Sequence, residues 1–186
     1  GLPTVGELET ALAQVRGAEL EGTSPETVVA PLLPEGTRLK GARVKRTAEG
    51  AFGSTVWTLR NGVRVVVKPT DFMTDQVCLY ARVPGGRSLL SDEEMLAAQV
   101  LDYYIGQTGV AESDAALLRK QLAGKTVRCW PGTGAYENGF SGTSSPKDVE
   151  TLLQLVYLYL AQPRFDGETF GVVMEQLRHS YRNRTA

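Results

Sequence analysis

Trp57-Thr58-Leu59-Arg60-Asn61-Gly62-Val63-Arg64-Val65-Val66-Val67-Lys68-Pro69 is the stretch that decides the fold class. Its two ends are rich in β-branched and aromatic side chains, which pack well on a pleated surface. Between them stands Asn61-Gly62, a pair in which both residues tolerate positive φ, and that predicts a hairpin. Pro69 ends the second strand. Further on, Val77, Leu79, Ala81 and Val83 alternate with Cys78, Tyr80 and Arg82, the pattern of a third strand with one buried face. Pro84-Gly85-Gly86 closes it.

Helices follow. Ser91 with Glu94 three residues later is a capping-box pair, and Asp92 and Glu93 suit the positive end of a helix dipole. Leu96, Val100 and Tyr103 or Tyr104 give one apolar face, and Met95, Leu101 and Ile105 give another, so the helix is expected to be buried on both sides before it stops by Gly106 or Gly109. A second helix is predicted from Ser113 through Leu117, Leu118 and Leu122 to Gly124. Thr126 to Trp130 and Ala135 to Thr143 read as a strand pair around the turn Pro131-Gly132-Thr133-Gly134. Ser145-Pro146-Lys147-Asp148 starts a third helix with proline in its first turn. Val149, Leu152, Leu153, Val156 and Leu160 are assigned to its main face, with Leu155, Tyr157 and Leu158 on the others, and Pro163 ends it. The last helix, from about Asp166, carries Phe170, Val173, Met174, Leu177 and Tyr181 at spacings of three and four.

Upstream of the hairpin the chain has a different character. Val5, Leu8, Leu12 and Val15 mark a short helix stopped near Gly17. Gly22-Thr23-Ser24-Pro25, a second brief segment and the turn-rich Pro31-Leu32-Leu33-Pro34-Glu35-Gly36 follow. Residues 1–54 are therefore expected to form a connector with short helices, and residues 55–186 an α+β domain with an antiparallel or mixed sheet covered by helices. Strict alternation of strand and helix, which a doubly wound parallel sheet needs, is missing.

Composition excludes several functions. Acidic and basic residues nearly cancel over the 186 residues, leaving a net charge of −1, so no basic field points to nucleic acid. The longest apolar run, Leu152 to Ala161 broken by Gln154, is far short of the roughly 20 residues a membrane span needs. No signal-peptide pattern is present, although Gly1-Leu2-Pro3 without an initiator methionine reads as a cut boundary. Cys78 and Cys129 fall in strand-like runs and read as small packed hydrophobes, with a cross-strand disulfide as the alternative in an exported parent. His179 is the only histidine, and it suits the end of a helix better than a metal site or a catalytic triad.

The remaining motifs carry little chemistry. Pro84-Gly85-Gly86-Arg87-Ser88 and Pro131-Gly132-Thr133-Gly134 lack the Gly-Lys-Ser/Thr ending of a phosphate loop and the dinucleotide fingerprint, so both read as turns. Asp92-Glu93-Glu94 lies in a first helical turn, where carboxylates cap rather than catalyse. Arg178, Arg182 and Arg184 fit a helix C-terminus.

The order of these elements resembles the insulinase (pitrilysin) family of zinc metallopeptidases. Trp57 to Pro69 is similar to the Leu-x-Asn-Gly-hydrophobic opening strand of that family's homologous domains. Gly85-Gly86-Arg87-Ser88-Leu89 looks like its glycine-containing segment before the first long helix, and Phe140 to Leu153 its strand-then-helix step. The likeness covers residues 55–184. It implies a parent of four homologous domains enclosing peptide substrate, with zinc bound through an inverted His-x-x-Glu-His motif in a catalytic domain. Laid on that motif, this chain offers Gln99-Val100-Leu101-Asp102-Tyr103, so Gln99, Asp102 and Tyr103 are degenerate zinc-motif positions. Neutral Gln99 and Tyr103 are poor imidazole replacements, and no catalytic or metal residue is assigned; substrate-binding residues are left open.

The resemblance thus implies a non-catalytic domain, the first of the C-terminal half, with the other domains of the parent and a peptide or unfolded protein substrate as partners. The alternative is a non-peptidase scaffold or processing-subunit domain of the same fold; an unrelated α+β binding module is the third. Bacterial relatives of this type are often exported, so the expected parent belongs to the periplasm or cell envelope. An apolar surface that docks other domains would make the isolated chain self-associate.

Overall fold

The computed structural model describes residues 4–17 and 30–184. The brief segment expected after Gly22 to Pro25 lies outside the described residues. Helix α1 spans Val5–Gly17, strand β1 Val44–Glu49, β2 Thr55–Leu59, β3 Arg64–Val67 and β4 Val77–Pro84. Helix α2 spans Asp92–Thr108, α3 Ala115–Gln121, β5 Val127–Thr133, β6 Glu137–Ser144, α4 Val149–Ala161 and α5 Gly167–Arg184. The strands form two antiparallel three-stranded sheets, in the orders β1-β2-β3 and β4-β6-β5. Helices and antiparallel sheets in separate runs make the α+β class expected from the sequence.

The hairpin at Asn61-Gly62 is present, with a different turn. Only Gly62 has positive φ, at 90°. The Gly62 amide donates to the Leu59 carbonyl at 3.1 Å, and the Leu59 amide to the Val63 carbonyl at 2.8 Å. A tight turn followed by a left-handed glycine gives a three-residue loop, so Asn61 keeps ordinary φ while its Oδ1 accepts from the Val63 amide at 3.2 Å. Strand β1 lies upstream, within the stretch expected to be connector, and pairs with β2 from Glu49↔Thr55 to Val44↔Leu59. The division at residues 54 and 55 therefore runs between two paired strands. Lys45, Arg46 and Glu49 obscure the apolar alternation of β1; charges of this kind are how edge strands are kept from pairing elsewhere.

Strand β5 also runs further than expected, through Pro131, Gly132 and Thr133. It is an edge strand, where a proline can turn its missing N–H away from the ladder. The turn is instead Gly134 to Tyr136, closed by the Gly134 amide donating to the Glu137 carbonyl at 2.7 Å.

Helix starts follow local chemistry closely. The Ser91 amide donates to Glu94 Oε2 at 2.8 Å and the Glu94 amide to Ser91 Oγ at 3.4 Å, a complete capping box. Helix α3 is capped by Asp114, whose Oδ1 accepts from the Leu117 amide at 2.7 Å, and not by Ser113. Ser113 is held one residue earlier, because its carbonyl accepts from the Val110 amide and its amide donates to the Val110 carbonyl, both at 2.9 Å. Asp166 accepts the Thr169 amide at 2.9 Å at the start of α5.

The core gathers under α4. Leu152, Leu155 and Leu158 are buried with Val110, Val173, Ala98 and Tyr104. The buried stripe of α4 runs 148, 151, 152, 155, 158, so Leu153 and Leu160, assigned to the main face from sequence, are exposed. A helix apolar on all sides leaves its inward direction to tertiary packing. Helix α2 packs against both β5 and α5, as its two apolar faces predict; it buries Ala98 and Tyr104, while Leu101 and Tyr103 are exposed. Tyr104 ties α2 to α5: its hydroxyl donates to the Asp166 carbonyl at 2.8 Å, and its ring meets Phe170 edge-on at 5.7 Å. Among the described residues no helix is long and apolar enough to cross a membrane.

Candidate functional site

Helix α2 carries Gln99, Asp102 and Tyr103, the three positions that the resemblance sets against a zinc motif, and their surroundings differ. Gln99 is exposed. Tyr103 is exposed too, its hydroxyl donating to Gln176 Oε1 of α5 at 3.2 Å. Asp102 is half-buried and fully engaged: Oδ1 accepts the Thr133 amide at 3.1 Å, and Oδ2 lies 3.6 Å from Arg87 Nη1. The one carboxylate at these positions thus clamps the end of β5 to the loop after β4. Zinc needs several convergent nitrogen, sulfur or carboxylate donors. An amide, a phenol and an engaged aspartate do not supply them, and the residues do not fit the metal.

The two glycine loops meet here, which explains their composition. Gly86 has φ 78°, and a Cβ on it would come 2.6 Å from the Glu137 amide nitrogen and 2.7 Å from the Gly134 carbonyl oxygen. Only glycine allows that approach. The Gly85 amide donates to the Tyr136 carbonyl at 2.9 Å, Arg87 to Gly134 at 2.9 Å and Ser88 to Ala135 at 2.8 Å. These loop amides are already satisfied within the protein, so they cannot cradle a phosphate.

The two faces of the β4-β6-β5 sheet are unequal. One packs on α4: Leu152 lies against Gly142, and the Phe140 and Tyr159 rings are 6.4 Å apart. Cys129, on this face, lines one hollow with Leu118, Leu122 and Leu155, and burial pushes its thiol up to about 11. The other face is the exposed side of β4 and β5. There Tyr80 and Trp130 both stand opposite Ser141, one on each side, about 10 Å apart across two strand spacings. They are 69% and 51% exposed. The neighbouring row is Cys78, Thr143 and Arg128; on the other side come Arg82, Gly139 and Gly132. Arg82 pairs with Glu137.

A hollow of about 390 Å³ lies beside Trp130, over the bare backbone of Gly132 and Gly139, and reaches Arg87 and Asp102. The hollow has Trp130 on its wall, a backbone floor and the Arg82 and Arg87 guanidinium groups in its lining, and Tyr80 lies outside it. Tyr80 and Arg82 were legible as the side of β4 opposite its buried residues; Trp130, Arg128 and Arg87 were not singled out from sequence. His179 is exposed on α5, with its Nδ1 3.2 Å from Asn183 Nδ2. Cys78 and Cys129 flank β6 on opposite strands and opposite faces, and both are free thiols. Among the described residues no three His, Cys, Asp or Glu side chains gather as a metal site.

Comparison with known proteins finds large proteases. No family model matches the chain. A protein of Arabidopsis thaliana described as a PQQL-like zinc protease is 29% identical over 133 residues, 71% of this chain and 11% of that protein. The periplasmic protease PqqL of Escherichia coli superposes with a TM-score of 0.75 at 13% identity, over 94% of this chain and 19% of that one. A mutant of the ferredoxin protease FusC, solved with Arabidopsis ferredoxin, gives a TM-score of 0.65 at 20% identity, over 94% of this chain and 20% of that one. The chain therefore spans about a fifth or less of these larger proteases.

Proposed function

Taking the chain as the insulinase-type domain that this fold and sequence similarity indicate, we propose that it is a non-catalytic wall of a zinc metalloendopeptidase. It is the first domain of the C-terminal half; it packs on the catalytic half and helps enclose a peptide substrate. The observation that carries this reading is the commitment of Asp102 to Arg87 and Thr133 on the helix where the family's catalytic domains present zinc ligands. The open sheet face, with Tyr80 and Trp130 on either side of Ser141, supplies the substrate-facing wall. Aromatic side chains give a passing peptide contact area without demanding one sequence. Leu153, Leu160 and Phe165, exposed at 53%, 68% and 70%, supply surface for neighbouring domains, and the isolated chain is expected to self-associate as concentration rises. PqqL is a periplasmic protease, which supports a cell-envelope parent.

The test is reconstitution. The parent's zinc-bearing half is assayed on a quenched-fluorescence peptide alone, with this chain, and with its Trp130→Ala, Tyr80→Ala variant. Activity should need the mixture, and the variant should raise KM more than it lowers kcat. Full activity of the catalytic half alone, or cleavage by this chain alone with one bound zinc, sinks the proposal.

A further inference from the structure

We propose that the basic face of the β1-β2-β3 sheet binds an extended acidic polypeptide segment of the pattern acid–x–apolar–x–acid. Strand register places Arg46, Thr58 and Arg64 in one row and Ala48, Val56 and Val66 in the next, all on the same face. Lys68 follows Val66 two residues on, so alternate positions along β3 and just past its end read cation, apolar, cation. The face is hollowed to about 630 Å³ and has Phe52 at the Lys68 end. Arg46, Arg64, Val66 and Lys68 are all exposed.

Charge complementarity selects the occupant. The lining holds Arg46, Arg64 and Lys68 against the one carboxylate of Glu49. Neither Arg46 nor Arg64 is in a salt bridge among the described residues. Lys68 Nζ donates to the Phe52 carbonyl and lies 5.7 Å from that ring's centroid, which leaves further donors for an incoming carboxylate. Four residues of strand separate Arg64 from Lys68 by about 13 Å, at roughly 3.3 Å per residue. Two acids four positions apart on an extended peptide span the same length, and the residue midway meets Val66. A nucleic acid would leave Val56 and Val66 facing phosphates and would find only Phe52 to stack on. This face belongs to a different sheet from the one that carries Tyr80 and Trp130, so the inference stands or falls apart from the chamber reading.

The experiment is fluorescence anisotropy of the 186-residue chain with labelled seven-residue peptides. One carries glutamate at its second and sixth positions and valine at its fourth; control peptides carry glutamine or lysine in place of glutamate. Saturable binding of the acidic peptide alone, weakened by added salt, is the expected result. Arg64→Glu and, separately, Lys68→Glu should each weaken it roughly ten-fold, with circular dichroism unchanged because both side chains are exposed. Equal binding of the acidic and glutamine peptides overturns the proposal, as does full affinity in both folded variants. So does tighter binding of a short single-stranded DNA, which would make the face a general polyanion site.

Discussion

Leu152 of α4 descends onto Gly142 of β6: a Cβ built on Gly142 would sit 2.6 Å from Leu152 Cδ1 and 3.0 Å from the Arg128 carbonyl oxygen. Helix and sheet meet there without an intervening side chain, and Leu152 is fully buried. Gly142→Ala should therefore destabilise the chain by about 1–3 kcal/mol through overpacking. Leu152→Ala should cost about 2–5 kcal/mol through the opposite defect, a cavity. The double variant should recover part of the loss, since each change relieves the other. Urea unfolding of the set checks this; strict additivity would contradict the contact.

Asp148 predicts an acid response. Its Oδ2 accepts from Ser145 Oγ at 2.6 Å and from the Thr126 amide at 2.9 Å, and these bonds, helped by Lys147 and Lys125, hold its carboxyl below the usual range. A carboxylate with a lowered folded pKa stabilises the fold above its unfolded value of about 3.9, and that contribution is lost as pH falls through the folded value. Asp148→Asn should lower the melting temperature at pH 7. The gap to the parent protein should close below pH about 4. A constant gap across that range would argue against the carboxylate.

Asp102→Ala separates structural from metal roles. It leaves the Thr133 amide and Arg87 without their acceptor and should cost about 1–3 kcal/mol in thermal unfolding. Zinc content by atomic absorption should be substoichiometric before and after the change. One equivalent of zinc, lost with Asp102, would reverse the assignment.

The thiols should react at very different rates. Cys78 is exposed, whereas burial holds the Cys129 thiol near 11, far from ionisation at neutral pH. One equivalent of an aromatic disulfide reagent should be consumed quickly at pH 7.5 and the second only on unfolding. Rapid consumption of two equivalents by the folded chain would count against this packing.

Much of the fold was legible because its cues are local. The Ser91 and Glu94 capping box, the Asn61-Gly62 hairpin and the alternation of β4 each lie within a few residues. Strand β1 was hidden because Lys45, Arg46 and Glu49 answer to its place at a sheet edge, not to a core. Strand β5 was cut short at Pro131, whose tolerance depends on being at an edge that only the topology reveals. The inward stripe of α4 could not be chosen because nearly every position is apolar. At the candidate site, Gln99, Asp102 and Tyr103 came from resemblance alone. The Arg87–Asp102 pair and the Tyr80–Ser141–Trp130 row join separate elements, and no local pattern announces them.

The bonds from Gly85, Arg87 and Ser88 to the β5–β6 turn bear on how the molecule breathes. A loop of this composition would ordinarily trade its amide hydrogens with water in seconds. Here each of the three is released only when the loop parts from a hairpin some 50 residues away in sequence, because the hairpin's carbonyls are the acceptors. The loop and the hairpin thus open as one cooperative unit, and deuterium uptake in one reports the motion of the other.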